Sequence, residues 1–366
     1  MVKIDSQSAA WLVGLREEVA GFMAGLRYGD QPGRYLPCYS GATKVGRTAG
    51  LGFSCFANKI EYTIGLWDTR SHQEQQAWLD FIRSYQRISE AEAPFMDPFL
   101  LDGIPLPKEH FLVQMRRWLS GLPAPSPKQD AILAETKQAL ATLAQHNETP
   151  WKPFSGFPLQ EKQLNTRLRQ LDWSQPWSAG AKTALLAVFI QTQGIERALA
   201  AVVSRFLDSL ADPKTGGYFL SNQVPLRGQL INGAMKVLNA LDWLEMPIHY
   251  PEALIDTCLL QGPPPAGCHV VDWVYVVHRC GLQTDHRLGE IQEKCKEIIA
   301  LIRTHQNRDK GFSYAPGKAQ EGYYGAKISL GHDEGDIHGT CLLTWALAMI
   351  LEILEWPHLG WKVIRP

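Results

Sequence analysis

The sequence predicts an all-α protein of about six helical hairpins, with an inner apolar ring of helices inside an outer amphipathic ring. Apolar residues recur through most of the chain at helical spacing, and few segments show the period-2 alternation of a half-buried strand. Polar-faced helices alternate with nearly all-apolar ones, usually across a turn that pairs glycine or proline with an aromatic residue. The apolar helices need a buried place, so the simplest arrangement closes them into a barrel that the amphipathic helices cover.

The first half of the chain follows this pattern loosely. Its opening helix has a polar face, and the next apolar segment is interrupted by Asn58, Lys59 and Glu61. The last helix of this half is amphipathic, the pattern expected of the outer ring. The predicted helices are Ser8–Leu26, Phe53–Trp67, His72–Gln86, Glu109–Leu122 and Lys128–His146.

The second half repeats the plan more clearly. Asp212–Phe219 combines proline, two glycines and two aromatic residues, which is a strong turn signal between an amphipathic and an apolar helix. Pro251 suits the first position of a helix, where its missing N–H costs nothing. The predicted helices are Ala181–Gln191, Ile195–Leu210, Leu230–Leu244, Pro251–Leu260, Cys268–Cys280, Arg287–Arg303 and Cys341–Trp356.

The last hairpin is the best-formed copy. His305–Tyr314 ends one helix in a turn at Gly311, a residue that accepts backbone angles other residues resist. Asp333 and Asp336 suit the start of the next helix, where free N–H groups and the helix dipole favour carboxylates. The N-termini of the inner helices would line one open end of the barrel, which is where a ligand cavity belongs.

Composition sets bounds on the function. The chain has 366 residues, 45% of them hydrophobic, and a formal net charge of -1, so we expect one large toroid domain over residues 1–366 and no nucleic-acid partner. No apolar run reaches the roughly 18 residues that a membrane span needs. Seven scattered cysteines and an N-terminus unlike a signal peptide indicate a soluble, cytoplasmic protein with reduced thiols. We predict no cofactor, and leave the oligomeric state open.

Gln306–Phe312, a glutamine at a helix end followed by a glycine-aromatic turn, resembles the repeat of squalene-hopene cyclases and protein prenyltransferase β-subunits. Leu210–Phe219 is similar but lacks the glutamine, and Gln86–Phe95 lacks the glycine. The resemblance covers Gln73 to Trp356 and implies an (α/α)6 toroid that acts on an isoprenoid substrate.

The active residues of these families transfer poorly. The Asp-x-Asp-Asp-Thr run of class II terpene cyclases aligns with Asp336–Thr340, where His338 takes the place of the proton-donating aspartate. The resemblance to prenyltransferases matches their zinc-binding aspartate with Asp272, but Val274 replaces the thiolate and Gly339 the histidine. A zinc site of that kind is therefore not expected.

Charged residues within the apolar helices are the best site candidates, because a buried charge must be paired or bind a ligand. Three lysines aimed at one mouth suggest an anionic ligand such as a diphosphate, a carboxylate or a uronate. Aromatic side chains would supply a wall for an isoprenoid or a sugar. The predicted catalytic residues are Asp336, His338, Asp272 and Glu61, and the predicted substrate-binding residues are Lys59, Lys182, Lys236, Tyr62, Trp273, Tyr275 and Asp333.

The segment His332–His338 contains two histidines and three carboxylates. Its histidines are six residues apart, not the three or four that place ligands on one helix face, so a metal is less favoured than a carboxylate that orients His338 as an acid or base. Whether this segment binds a metal stays open.

Three functions remain open at this stage. The first is an enzyme of the terpenoid cyclase/prenyltransferase-like class that acts by acid/base chemistry on an isoprenoid or other apolar substrate with an anionic group. The second is a carbohydrate-active (α/α)6 hydrolase or lyase acting on uronates, which would use facing carboxylates. The third is a non-catalytic toroid that binds a small molecule.

Overall fold

The computed structural model describes residues 6–100, 115, 119, 127–158, 160–194, 197–220, 224–260, 262–356 and 359–366. The helix predicted over Glu109–Leu122 lies outside this part of the chain, apart from Met115 and Leu119, which are helical. The α-helices are α1 Ser6–Leu26, α2 Lys44–Thr48, α3 Leu51–Thr63, α4 His72–Arg83, α5 Pro127–Gln145, α6 Glu161–Arg169, α7 Pro176–Thr192, α8 Arg197–Asp208, α9 Arg227–Trp243, α10 Pro251–Leu259, α11 Gly267–Gly281, α12 Leu288–Arg303 and α13 Ile337–Ile353. Two short strands, β1 Gly322–Tyr323 and β2 Ala326–Lys327, form an antiparallel hairpin before α13.

Helices α3, α5, α7, α9, α11 and α13 form a closed inner ring, because each packs against the next and α13 packs against α3. Helices α4, α8, α10 and α12 pack outside this ring, and α6 packs on α8. The first outer helix, α1, contacts the turn before α13 through Trp11 and Phe312, whose ring centroids are 6.3 Å apart. The prediction of an all-α toroid with six helical hairpins is confirmed.

The turns between outer and inner helices repeat one hydrogen-bonding pattern. An isolated antiparallel β-bridge joins Gln306 to Phe312, and equivalent β-bridges occur in three other repeats. In the last repeat the Thr340 hydroxyl accepts a hydrogen bond from the backbone N–H of Phe312 at 3.0 Å, and Thr136 does the same for Phe95 at 3.0 Å. The turn geometry therefore persists where the glutamine or glycine is missing from the sequence. The other bridges are Arg27 to Tyr35, Gln86 to Phe95 and Ala211 to Tyr218.

Helix α5 differs from its prediction. Its amphipathic pattern indicated the outer ring, yet it packs between α3 and α7 in the inner ring. The reason is that its polar face, which includes Lys137 and Gln138, lines an internal cavity instead of the outer surface. An amphipathic pattern indicates that one face of a helix contacts water, but it does not indicate whether that face points to the inside or the outside of the ring.

The seam between α7 and α9 is tight because glycines face each other across it. A Cβ atom at Gly233 would lie 2.7 Å from the Cβ of Pro176, and one at Gly180 would lie 2.9 Å from the Cβ of Lys236. These pairings also show that the two helices run in the same direction. Close approach at this seam brings the polar residues of α9 against the start of α7.

Different segments cover the two ends of the ring. The β-hairpin lies at the N-terminal end, with Tyr323 packed against Phe53 of α3 at 5.5 Å between ring centroids. Residues 359–366 cross the opposite end, where the backbone N–H of Lys362 donates to Thr63 O at 2.8 Å and Trp243 Nε1 donates to Pro366 O at 2.8 Å. Within the described ranges, every helix is too short or too polar to cross a membrane.

Candidate functional site

Three lysines from different inner helices interact electrostatically, and within the described residues none of them forms an ion pair. Lys59 belongs to α3, Lys137 to α5 and Lys236 to α9. Lys59 is only 3% exposed, and the other two are partly buried. Within the described part of the chain, none of the three ammonium groups has a hydrogen bond or an ion pair. Unpaired buried cations are costly, so their collection in one place indicates a site for an anion.

Electrostatics shows that these lysines influence one another. Burial lowers the pKa of Lys137 well below the usual lysine value, and the positive charges of Lys59 and Lys236 lower it further. Burial also lowers the pKa of Lys59. An anion bound among the three ammonium groups would reverse this effect, because it would favour their protonated forms.

Lys137 and Lys236 line a cavity of about 360 Å³ between α5, α7 and α9. Its wall includes Gln138, Met235 and Asn239, and it reaches the protein surface near Ser178, which is exposed. Tyr324 from the turn of the β-hairpin lines the same cavity. Tyr324 has a φ of 46°, a left-handed conformation that is unusual for a bulky residue. The hairpin therefore holds this ring at the cavity despite backbone strain.

Asp272 of α11 is a buried carboxyl group that interacts electrostatically with Lys236. It is 1% exposed, and its Oδ2 atom has no hydrogen-bond partner in the described structure. Burial raises the pKa of Asp272 to about 6, and the charge of Lys236 opposes the rise. A carboxyl group with this pKa can accept or release a proton near neutral pH, as an acid/base residue must.

His338, near the start of α13, lies between two aromatic rings. The Phe56 ring stacks on it at 4.6 Å between centroids, and the Tyr314 ring at 5.8 Å. Its Nδ1 is hydrogen-bonded to Gln320 Oε1. Burial, and then the charge of Lys236, lower the pKa of His338 to about 3. Burial thus favours the neutral imidazole, and the acid/base role of His338 stays a prediction.

Asp336 caps α13. Its Oδ1 accepts from the backbone N–H of Gly339 at 2.7 Å, and its Oδ2 accepts from those of Tyr314 at 2.7 Å and Gln320 at 3.0 Å. Burial raises its pKa to about 6, and these hydrogen bonds oppose the rise. Both oxygens of Asp336 hold the helix start and the hairpin loop, and its catalytic role stays a prediction.

Glu61 and Lys182 also have partners of their own. Glu61 forms a bidentate ion pair with Arg70, with both N–O distances at 2.5 Å. Tyr35 adds a hydrogen bond to Glu61 Oε1 at 3.4 Å. Lys182 lines the cavity, but its Nζ donates to Asp130 Oδ2 at 2.8 Å. Glu61 therefore serves packing at the C-terminal end of α3, and Lys182 is not a free cation of the anion site.

The other predicted binding residues lie away from the cluster. Trp273 is fully buried and donates through Nε1 to Cys258 O at 3.0 Å, towards α10. Tyr275 donates to Asp242 Oδ2 at 3.1 Å. Tyr62 contacts His146 edge to face, and Asp333 is exposed in the loop before α13. The rings of Phe56 and Tyr314 stack on His338 and Tyr324 lines the cavity, whereas an aromatic wall of Tyr62, Trp273 and Tyr275 stays a prediction.

The carboxylates on which the sugar hypothesis depended do not face one another. Glu61 is bound by Arg70, Asp336 is held by backbone N–H groups, and Asp272 is buried alone in α11. In the segment that starts at His332, Glu334 accepts from the backbone N–H groups of Ser40 and Gly41, both at 2.7 Å. Across the described residues, no three histidine, cysteine, aspartate or glutamate side chains are grouped as metal ligands would be.

Comparisons with known proteins bear on the fold. No family model and no curated protein matches the sequence. The chain is similar to the structure of Candida albicans protein geranylgeranyltransferase-I complexed with GGPP, with 11% identity, 87% of each chain covered and a TM-score of 0.43. It is also similar to a type II terpene cyclase from Scytonema in complex with geranylgeranyl dihydroxybenzoate, with 13% identity, 96% of this chain and 99% of that chain covered, and a TM-score of 0.46.

Proposed function

We propose that the protein is an enzyme that acts on an isoprenoid or other largely apolar substrate carrying an anionic group. The observation that carries this proposal is the unpaired cluster of Lys59, Lys137 and Lys236 inside the ring. The cavity lined by Lys137 and Lys236, and the buried carboxyl group of Asp272 that interacts with Lys236, support the same function.

The lysine cluster supports an anionic group with more than one negative charge. A single carboxylate would leave two cations without a partner, whereas a diphosphate or a similar group offers charge and acceptor oxygens to all three. Lysine suits this task because its ammonium group is a compact charge on a flexible stem. The anion would lie between α3, α5 and α9.

The surroundings of the cluster support an apolar remainder of the substrate. Phe56, Tyr314 and Tyr324 present ring faces on the side of the hairpin, and Met235 and Leu185 line the cavity wall. Aromatic faces bind apolar chains and also stabilise positive charge that develops on a carbon skeleton.

Asp272 is the proposed proton-transfer residue. Its Oδ2 has no partner, so a substrate atom can take that place without breaking an existing hydrogen bond. His338 would position the substrate through Nε2, since Nδ1 is held by Gln320. Lys236 tunes the acid, because its charge favours the ionised form of Asp272.

The test is calorimetric binding of geranylgeranyl diphosphate, geranylgeraniol and inorganic pyrophosphate to the purified protein. We expect the diphosphate ester to bind most tightly and its affinity to fall at least tenfold in Lys137→Met and Lys236→Met. Lys162→Met, at an exposed position on α6, is the matched control and should bind as the wild type does.

Equal affinity of the wild type and both cavity variants would remove the anion site. Product analysis by mass spectrometry after incubation then separates catalysis from binding. Conversion of the ester that is lost in Asp272→Asn supports an enzyme, whereas tight binding with no conversion under any condition supports the non-catalytic toroid.

A further inference from the structure

A second groove lies on the outer side of the seam between α5 and α7. It has a volume of about 430 Å³, and its wall includes Leu133, Phe157, Leu186 and Phe189. Phe157 is half-buried, and its ring packs against Phe189 at 5.4 Å between centroids. The polar side chains of Gln163 and Arg167 stand at the rim. This groove is apolar at its floor, although it lies outside the ring.

The groove and the lysine-lined cavity share a boundary. Asp130, Lys182 and Leu185 line both spaces. Asp130 and Lys182 form an ion pair across the seam at 2.8 Å, with side-chain exposures of 37% and 25%. A pair this exposed contributes little net stability, so it opens at low cost. Next to it the cavity wall consists of small residues, Ala134 and Ala181.

From this arrangement we infer that the cavity and the outer groove form one elongated binding site, in which the apolar chain of the substrate crosses the α5–α7 seam and lies in the groove. This inference rests on the proposed function, because the anionic group must first bind at Lys137 and Lys236. The groove then determines which chain lengths the protein accepts.

Lys182 acts as the switch at the boundary. In the empty protein its ammonium group is held by Asp130. An anion in the cavity offers Lys182 a second acceptor, since this lysine lines the cavity as well as the groove. When Lys182 pairs with the anion, water solvates the Asp130 carboxylate, whose side chain is 37% exposed, while the seam opens. Chains too short to reach the seam gain nothing from this exchange.

The experiment compares three diphosphate esters with the same head group, geranyl, farnesyl and geranylgeranyl, by calorimetry. Phe157→Glu places a charge on the groove floor, and Gln163→Trp, at an exposed position, fills the groove without disturbing the core. Both variants should lower the affinity for the geranylgeranyl ester at least tenfold and change that for the geranyl ester less than twofold. Asp130→Asn frees Lys182 for the shared head group and also opens the seam, so it should raise the affinity for the longest ester most.

Gly228→Trp is the matched control. Gly228 is exposed, and it lines a separate small cavity between α9 and α11. A loss confined to long chains in this control, or an equal loss for all three esters in the groove variants, overturns the groove assignment. Loss of binding of all three esters in Lys137→Met, together with no chain-length dependence in the groove variants, supports the anion site and refutes the groove. Binding of all esters that is insensitive to Lys137→Met refutes the proposed function itself.

Discussion

Replacing Lys137 with methionine should stabilise the empty protein while it removes ligand binding. The ammonium group of Lys137 is partly buried, has no partner among the described residues and lies near two other cations. Methionine has a similar length and no charge, so it fills the same space without the cost of desolvation. The variant would thus trade function for stability.

The magnitude follows from the protonation equilibrium. The unfolded chain binds a proton at Lys137 up to a pKa of about 10.4, whereas the folded protein releases it earlier because the pKa is lowered. The pKa of the unfolded chain lies about 3.4 units above pH 7, and each unit corresponds to about 1.36 kcal/mol. The free-energy penalty of burying Lys137 at pH 7 therefore has an upper limit of about 4.6 kcal/mol. The side chain keeps some access to water through the cavity, and we expect a gain of about 1–3 kcal/mol.

The sign of the pH dependence is fixed by the same equilibrium. The penalty is fully present below the folded pKa and disappears as the pH rises towards the unfolded value, so the advantage of Lys137→Met should shrink between pH 7 and pH 10. Urea unfolding followed by circular dichroism at several pH values measures this directly. Lys182→Met, which removes a partly exposed ion pair, is the control and should cost less than about 1 kcal/mol. A destabilised Lys137→Met protein, or a gain that does not depend on pH, would refute the reasoning.

Further predictions concern the groups around this site. Glu61→Gln should lower the free energy of unfolding by about 2–4 kcal/mol in urea titrations, because it leaves the Arg70 guanidinium without its bidentate partner, and it should leave ligand affinity unchanged. Asp336→Ala should lower the free energy of unfolding by about 2–4 kcal/mol, since three backbone N–H groups lose their acceptor. A change below about 0.5 kcal/mol would contradict the capping role. The pKa of Asp272 is raised from 3.8 to about 6, so the stability that its protonated carboxyl group contributes is complete below about pH 4 and is lost as the pH rises through about 6. The stability of Asp272→Asn relative to the wild type should therefore rise by up to about 3 kcal/mol between these pH values, as urea titrations would measure. Binding of a diphosphate ester should raise the pKa of Lys137, so the affinity should fall as the pH rises above neutral; calorimetry at several pH values measures this, and an affinity that does not depend on pH would argue against it.

Part of the site could be predicted from the sequence. Lys59, Lys236 and Asp272 were identified because a charged residue inside an apolar helix stands out in the local pattern. Lys137 was missed because the helix that carries it is amphipathic, so its charge looked like part of a solvated outer face. Tyr324 was missed because it sits in a polar loop whose strands are only two residues long.

Other candidates were chosen for the right reason and still proved to have local partners. Glu61 satisfies the rule that a buried charge must be paired, and its partner Arg70 lies nine residues further along the chain. Asp336 suits a helix start, and the structure uses it for that purpose. For both residues the sequence could not distinguish a structural partner from a ligand, because either one compensates a buried charge equally well.

The sequence by itself determined the helices, their alternation and the ring, because hydrophobic periodicity is a local property that fixes which face of each helix must be buried. Only the tertiary structure decided which polar side chains meet. Lys59, Lys137 and Lys236 are separated by long stretches of chain, and closing the ring brings Lys137 and Lys236 to one cavity, where the charge of Lys59 also acts on Lys137. Electrostatic interactions act over a few ångströms in space and take no account of distance along the chain. For that reason the architecture could be predicted from the sequence, whereas the grouping of the polar side chains could not.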